Sequence, residues 1–151
     1  MRKLITTIAL LVILTSSAIK AQILKPVKWS FAVKKLERNE DMIILKAEIG
    51  EGWRIYSINQ KDGGPVKTSF SFTPAGDAYR LIGNAIEPKP MTEHEDAFNM
   101  DVFYFAKSVI FQQKVKIKQD NLTVKGKLNF MVCNNHQCLP PEDVNFSIPI
   151  K

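Results

Sequence analysis

The sequence has few of the side chains on which most enzyme chemistry depends. Its 151 residues include two cysteines and two histidines. No Ser–His–Asp triad, phosphate-binding glycine loop or pair of catalytic carboxylates has a local motif, and Gly63-Gly64 is better explained as a turn than as a phosphate cradle. No cofactor is therefore predicted, and the two cysteines are the strongest candidates for chemistry.

Long apolar runs are also scarce, and the most pronounced one lies at the amino terminus. It covers eleven residues, from residue 4 to residue 14, whereas a membrane-spanning helix needs about 20 apolar residues. Basic residues precede this run, and mostly small residues follow it up to Ala21. The pattern predicts a secretory signal peptide over residues 1–21, cleaved after Ala21. Residues 22–151 would then form one exported, soluble domain in a compartment where thiols commonly become disulfides.

The chain has little excess charge once the predicted signal peptide is removed. The full sequence has a net charge of +6, and loss of Arg2, Lys3 and Lys20 leaves 18 basic and 15 acidic residues, a net charge of +3. The remaining lysines are scattered, which is typical of a solvated surface and not of a nucleic-acid interface. No nucleic-acid partner is predicted.

Helical periodicity is missing as well, since no apolar period of about 3.6 residues persists for about ten residues. Apolar and polar residues instead alternate over short segments bounded by turn-forming residues. The clearest of these segments are residues 27–33, 43–49, 68–73, 102–117 and 122–132. Residues 88–101 are predicted to form a polar loop with one large aromatic side chain, Phe98. Short β-segments in a domain of this size predict an all-β, immunoglobulin-like β-sandwich.

Both cysteines lie in one short segment, Phe130-Met-Val-Cys-Asn-Asn-His-Gln-Cys-Leu-Pro-Pro-Glu142. Alternating apolar residues lead into and out of it, so two strands are expected to carry a four-residue loop with Cys133 and Cys138 at its ends. Pro140 and Pro141 lack backbone donors and should prevent normal sheet pairing just after Cys138. A partner could then dock at the open margin of the sheet beside Cys138.

Three roles for the cysteine pair are open on the residues alone. A structural disulfide is the first, although closing a loop of about six residues stabilises a protein by only about 2 kcal/mol in the chain-entropy model. Zinc is disfavoured, and no metal is predicted, because His136 lies inside the cysteine loop and His94 stands alone. A redox couple is favoured, since exchange needs an accessible thiolate and a resolving thiol close behind it. His136 would then tune the thiolates, or simply be solvated.

The segment from Cys133 to Glu142 resembles the active-site segment of the amino-terminal periplasmic domain of the DsbD thiol:disulfide interchange proteins. Three further stretches agree with that family in order: Gly52-Trp-Arg-Ile-Tyr-Ser57, Asp62-Gly-Gly-Pro65 and His94-Glu-Asp-Ala-Phe98. The resemblance spans essentially all of residues 22–151. It implies a sandwich with the cysteine loop and a cap loop at one end, which receives electrons from a membrane-embedded domain and passes them to thioredoxin-like periplasmic proteins.

The resemblance also implies roles for individual residues. Cys138 would form the mixed disulfide with a partner, and Cys133 would resolve it. Phe98 would be the tip of the cap loop that shields the couple. Asp96 would influence the pKa values of the thiols, and Tyr56 would line the site.

The sequence departs from the family pattern in three ways. Four residues separate the cysteines, whereas the best-known members have five, which bears on loop geometry and reduction potential. Arg54 stands where another tyrosine is expected. The membrane-embedded and thioredoxin-like domains are absent from this sequence, so a separate membrane-embedded electron donor is expected. The alternative function is a secreted β-sandwich interaction module whose single disulfide is structural.

Overall fold

The computed structural model describes residues 24–151, in which every regular element is a β-strand. The predicted signal peptide, residues 1–21, lies outside the described residues. The strands are β1 (Val27–Lys35), β2 (Glu40–Ile49), β3 (Arg54–Tyr56), β4 (Ser69–Phe72), β5 (Tyr79–Ile86), β6 (Met91–Glu95), β7 (Met100–Phe105), β8 (Ser108–Ile117), β9 (Thr123–Cys133) and β10 (Cys138–Pro149). Residues 24–151 include no helix long and apolar enough to cross a membrane.

The strands form two antiparallel sheets that share one core. The first sheet has the strand order β1-β2-β8-β5. The second has the order β10-β9-β3-β7-β6, with β4 also paired to β9. β9 holds the second sheet together, since β10 pairs along one side of it and both β3 and β4 pair along the other. This architecture confirms the predicted immunoglobulin-like β-sandwich.

Side chains from both sheets fill the space between them. Alternation along the strands leaves Ile43 on β2 and Leu128 on β9 with no solvent exposure. Trp29 on β1 reaches from one sheet to the other. Its ring centroid lies 6.0 Å from that of Phe111 on β8 and 5.5 Å from that of Phe130 on β9. Removal of this apolar surface from water, at roughly 25 cal/mol per Å², is the main force that holds the sheets together.

The predicted polar loop over residues 88–101 is wrong for most of its length. β6 and β7 pair from Met91 opposite Tyr104 to Glu95 opposite Met100, so only residues 96–99 form a turn. β6 is an edge strand with largely exposed side chains. Because neither of its faces is fully buried, its sequence shows no apolar alternation, and pairing with β7 decides its conformation.

Gly126 on β9 is tightly enclosed by its neighbours on β4 and β10. It pairs with Phe72 on β4 and with Phe146 on β10. The rings of these two phenylalanines meet with their centroids 5.4 Å apart. A Cβ atom at residue 126 would collide with the Phe146 ring and with the carbonyl oxygen of Ser71. The contact between the two rings therefore depends on the absence of a side chain at Gly126.

Gly126→Ala should lower the free energy of unfolding by about 1–3 kcal/mol, the usual cost of overpacking a core. Chemical denaturation measures this loss. The control is Lys125→Ala, an exposed neighbour on the same strand, which should change stability by no more than about 0.5 kcal/mol. Equal stability of the two variants would contradict the packing described here.

Candidate active site on the outer face of the second sheet

The two cysteines form a disulfide at the end of the β9–β10 hairpin. Cys133 and Cys138 are directly paired, with their Cα atoms 4.0 Å apart. The loop between them is closed by a hydrogen bond from the Asn134 backbone N to the Gln137 carbonyl oxygen, 2.9 Å. Asn134 Oδ1 also accepts hydrogen bonds from the backbone N atoms of His136 and Gln137, each 2.8 Å. Because none of these bonds involves sulfur, the hairpin should keep the two sulfurs adjacent when the disulfide is reduced.

The two cysteines differ sharply in exposure. Cys133 is 2% exposed, whereas Cys138 is exposed. Cys138 begins β10, an edge strand, and the register of β10 against β9 shifts at Pro140 and Pro141. The prediction that these prolines interrupt normal pairing is confirmed. One sulfur-bearing residue therefore lies at an open sheet edge, and the other lies under cover.

Cys133 belongs to the outer face of the second sheet, which points away from the main core. Successive side chains of a strand point to opposite faces, and Val132 packs in the main core. On the outer face, Tyr56 of β3 is 1% exposed and Val102 of β7 is fully buried. Together with Cys133 they form a second, smaller hydrophobic cluster, here called the outer cluster.

Side chains from β7 and from the turn that precedes it pack against the outer cluster; β6, this turn and β7 are here called the cap hairpin. Its turn is closed by hydrogen bonds from Phe98 N to the Glu95 carbonyl oxygen, 3.1 Å, and from Asn99 N to the Asp96 carbonyl oxygen, 3.2 Å. Asn99 has a φ of 51°, in the left-handed region that asparagine adopts more readily than most residues. Phe98 is partly buried and packs against the outer cluster, as do Met100, Tyr104 and Met131.

The polar residues of the predicted site lie farther into solvent. Asp96 is on the cap turn, with its side chain fully exposed and its carboxylate 3.8 Å from His94 Nε2. His136 is exposed in the middle of the cysteine loop. Over residues 24–151, no three His, Cys, Asp or Glu side chains are grouped as metal ligands would be. The structure thus groups the cysteines with Tyr56 and Phe98, and leaves Asp96 and His136 at the exposed margin.

Tyr56 lies beside Cys133 in the outer cluster. Burial raises the pKa of the Tyr56 hydroxyl to about 12. The Arg54 guanidinium opposes this pKa shift, and the carboxylates of Glu95 and Glu93 add to it. The hydroxyl therefore keeps its proton at neutral pH. On the backbone side, the Tyr56 carbonyl oxygen accepts a hydrogen bond from Thr68 Oγ1, 2.6 Å, which fixes the end of β3.

Arg54 contacts both hairpins of the site. It is paired with Cys133 in the β3–β9 ladder, and its side chain is 12% exposed. Arg54 Nη1 lies 2.8 Å from Glu93 Oε2 and 3.7 Å from Glu95 Oε2, both on β6. Arg54 Nη2 donates to Asn135 Oδ1 in the cysteine loop. The sequence predicts no contact for Arg54. The signals it offers are an arginine in a short apolar strand and two glutamates, Glu93 and Glu95, at alternate positions of a later segment.

Residues 57–65, which follow β3, contact the cap hairpin. Gln60 Oε1 accepts a hydrogen bond from the Phe103 backbone N, 2.7 Å. The Ser57 backbone N donates to the Phe103 carbonyl oxygen, 2.9 Å. A Cβ atom at Gly64 would lie 2.8 Å from Met100 Sδ, so a side chain at residue 64 would displace the Met100 side chain from its present position. These contacts give a physical reason for one of the stretches on which the family resemblance depends.

Three solved structures are among those with a fold similar to that of this chain. The N-terminal domain of DsbD from Neisseria meningitidis, in the reduced form, has a TM-score of 0.61 and 19% identity over 84% of this chain and 90% of that chain. The N-terminal periplasmic domain of ScsB from Proteus mirabilis has a TM-score of 0.61 and 19% identity over 82% of this chain and 46% of that chain. A complex between the DsbD and PilB N-terminal domains from Neisseria meningitidis has a TM-score of 0.57 and 17% identity over 83% of this chain and 87% of that chain.

Sequence comparison identifies the family. Among curated protein sequences, none matches this chain. The family described as thiol:disulfide interchange protein DsbD, N-terminal, matches residues 20–149. That match includes nearly the whole sandwich, both cysteines and the cap hairpin. The chain therefore belongs to the family of DsbD N-terminal domains.

Proposed function

We propose that this chain is a thiol–disulfide exchange domain whose working groups are Cys133 and Cys138. The observation that carries the proposal is the pairing of one exposed and one buried cysteine across a hairpin end, in a chain of this family. Exchange requires one sulfur that another protein can reach and a second sulfur close behind it. Cys138 meets the first requirement, and Cys133 meets the second.

The proposed reaction starts from the reduced domain. The Cys138 thiolate attacks a disulfide of the partner, so that a bond forms between Cys138 and one partner sulfur while the other partner sulfur leaves and takes up a proton. Cys133 then loses its proton and attacks the Cys138 sulfur. The mixed disulfide breaks, and the products are the Cys133–Cys138 disulfide and a partner dithiol. Two electrons pass to the partner in each cycle.

A purely structural role fits the position of this disulfide less well. The bridge joins two residues that the antiparallel ladder already pairs. It also closes a loop that has its own hydrogen bonds. In the chain-entropy model, such a short closure contributes about 2 kcal/mol, against about 4.7 kcal/mol for a loop of about 100 residues. A bridge between the two sheets would constrain the unfolded chain far more.

The proposal includes a shielding role for the cap hairpin. Phe98 packs against the cluster that contains Cys133, so the cap covers the resolving sulfur and leaves the edge beside Cys138 open. Asp96 is exposed on the same turn, where its negative charge would raise the pKa of nearby thiols. Tyr56 would line the site as a neutral hydroxyl.

We also propose thioredoxin-like partners and a periplasmic location. A DsbD N-terminal domain forms a complex with the PilB N-terminal domain, and the ScsB domain of similar fold is periplasmic. An open cleft of about 630 Å³ beside the cysteine loop would provide a docking surface; its lining includes Trp53, Glu93, Tyr104, Lys107 and Asn135. Residues 1–21 would direct export, and a membrane-embedded protein would return electrons to the disulfide.

Cys133→Ala should trap the partner, because the mixed disulfide through Cys138 can no longer be resolved. The test partner is a thioredoxin-like domain that keeps one active-site cysteine, activated by a thionitrobenzoate group. The reduced variant should displace that group and form an adduct visible on a non-reducing gel. The matched control is Cys138→Ala, whose remaining thiol is that of the buried Cys133. It should react at least about tenfold more slowly. Equal rates for the two variants would contradict the assignment of Cys138 as the attacking thiol and Cys133 as the resolving thiol.

The reduction potential should lie above about −300 mV, since structural disulfides are found below that value. Equilibration in glutathione and dithiothreitol buffers, followed by alkylation and mass measurement, gives the potential. In parallel, the Cys133→Ser/Cys138→Ser variant should lose no more than about 2 kcal/mol of unfolding free energy. A much lower potential, together with a larger loss of stability and intact partner binding, would support the structural module instead.

Phe98→Ala should expose the buried sulfur. In the Cys138→Ala background, iodoacetamide should alkylate Cys133 about three- to tenfold faster, because a cap without its aromatic contact opens more often. Leu81→Ala removes an exposed apolar side chain from the first sheet and should leave the rate unchanged. If Phe98→Ala leaves the alkylation rate at the level of this control, the cap does not shield Cys133.

A further inference from the structure

Arg54 contacts both the cap hairpin and the cysteine loop. Its Nη1 lies 2.8 Å from Glu93 Oε2 on β6, and its Nη2 donates to Asn135 Oδ1. Its guanidinium carbon also lies 5.2 Å from the ring centroid of Tyr104 on β7. A planar guanidinium can make such contacts in two directions because its donors are fixed in a fork.

These contacts are placed to resist opening of the cap. β6 is the edge of the second sheet and pairs with β7 alone. Displacement of the edge strand β6 would separate Glu93 from Arg54. It would break a charge-assisted hydrogen bond, which is stronger than a neutral one. Arg54 therefore adds a hydrogen-bonded contact with the cap hairpin to the apolar contact of Phe98.

We propose that Arg54 is a positioning residue that keeps the cap hairpin closed over Cys133, and thereby directs incoming sulfur chemistry to Cys138. This inference rests on the proposed exchange function, in which Cys138 is the sulfur that partners reach. Exchange at a disulfide proceeds by attack along the S–S axis on one of its two sulfurs. The open edge strand leaves Cys138 available to that attack, while the closed cap denies access to Cys133. Arg54 thus sets which sulfur reacts.

The test measures the reactivity of each thiol separately, without any partner protein. Arg54→Met is made in the Cys138→Ala and Cys133→Ala backgrounds, and the remaining thiol is alkylated with neutral iodoacetamide at several pH values to separate access from thiol pKa. Cys133 should react about tenfold faster without Arg54, because the closed state has lost a charge-assisted hydrogen bond. Cys138 should change by less than about twofold, because it is already exposed.

The direction of the change in alkylation rate distinguishes a role of Arg54 in holding the cap closed from a purely electrostatic effect on the thiols. Removal of a nearby cation would raise the pKa of both thiols and slow their alkylation. Slower or unchanged reaction of Cys133 would overturn the proposal. Equal acceleration of both thiols would also overturn it, because that result indicates general loosening. Arg54→Lys should fall between the wild type and Arg54→Met, because lysine keeps the charge and lacks the fork.

Two further variants cover the case in which Arg54→Met does not fold. Glu93→Gln removes the negative charge from one partner of Arg54, and Asn135→Ala removes the acceptor in the cysteine loop; each should accelerate alkylation of Cys133. Glu93→Gln should add nothing further when Arg54 is already replaced, since the two act through one contact. Lys46→Met removes a cation from a surface ion pair with Glu48 on the first sheet and should have no effect. Failure of both partner variants to accelerate Cys133 overturns the proposal.

The outcomes also separate this inference from the exchange function. If the two thiols respond as expected but no thioredoxin-like partner forms an adduct, the exchange function fails and the role of Arg54 at the cap stands. If adducts form and Cys133 does not respond to Arg54, only the role of Arg54 fails. In the Cys138→Ala background, Arg54→Met should speed the formation of an adduct between Cys133 and the activated thioredoxin-like partner.

Discussion

The antiparallel register of three neighbouring strands is the constraint on which the site depends. It pairs Cys138 with Cys133 across β10 and β9, and Cys133 with Arg54 across β9 and β3. Residues paired in this way present their side chains on the same face, with Cβ atoms about 4.5–5.5 Å apart. A shift of one residue along β9 would turn Cys133 into the main core and Val132 outward. The main core, which fixes that register through Leu128 and its neighbours, therefore also fixes the position of the sulfurs.

The outer cluster differs from the main core in how it can move. The main core is enclosed between two sheets, whereas the outer cluster has three buried members, Tyr56, Val102 and Cys133, and is covered by a few partly buried side chains. Regions with few buried apolar contacts open locally at a lower free energy than the whole domain unfolds. Local opening of the cap is therefore expected at a lower free energy than unfolding of the sandwich, and Cys133 can resolve a mixed disulfide at the adjacent Cys138 without such opening.

The strands that could be predicted from the sequence are those with one face in the main core. Period-two alternation located β1, β2, β4 and β9 for that reason, and the spacing of Cys133, Cys138 and the two prolines predicted the hairpin. The same method missed β6, because an edge strand with polar side chains on both faces has no apolar period. It also could not separate Val102 from the main core, since an apolar residue buried under a cap looks the same in sequence as one buried between sheets. Arg54 was hidden for a different reason: its partners are Glu93 and Asn135, far away along the chain.

Two departures from the family pattern are in contact with each other. The cysteine loop has four residues rather than five, and Arg54 replaces an expected tyrosine; Arg54 Nη2 donates to Asn135 within that shorter loop. A tyrosine there could cover neighbouring apolar surface, but it lacks the several donors that a guanidinium directs to two acceptors at once. Arg54 keeps an aromatic contact with Tyr104 and adds charged contacts to β6 and to the loop. Through these contacts Arg54 links the cysteine loop to both strands of the cap hairpin.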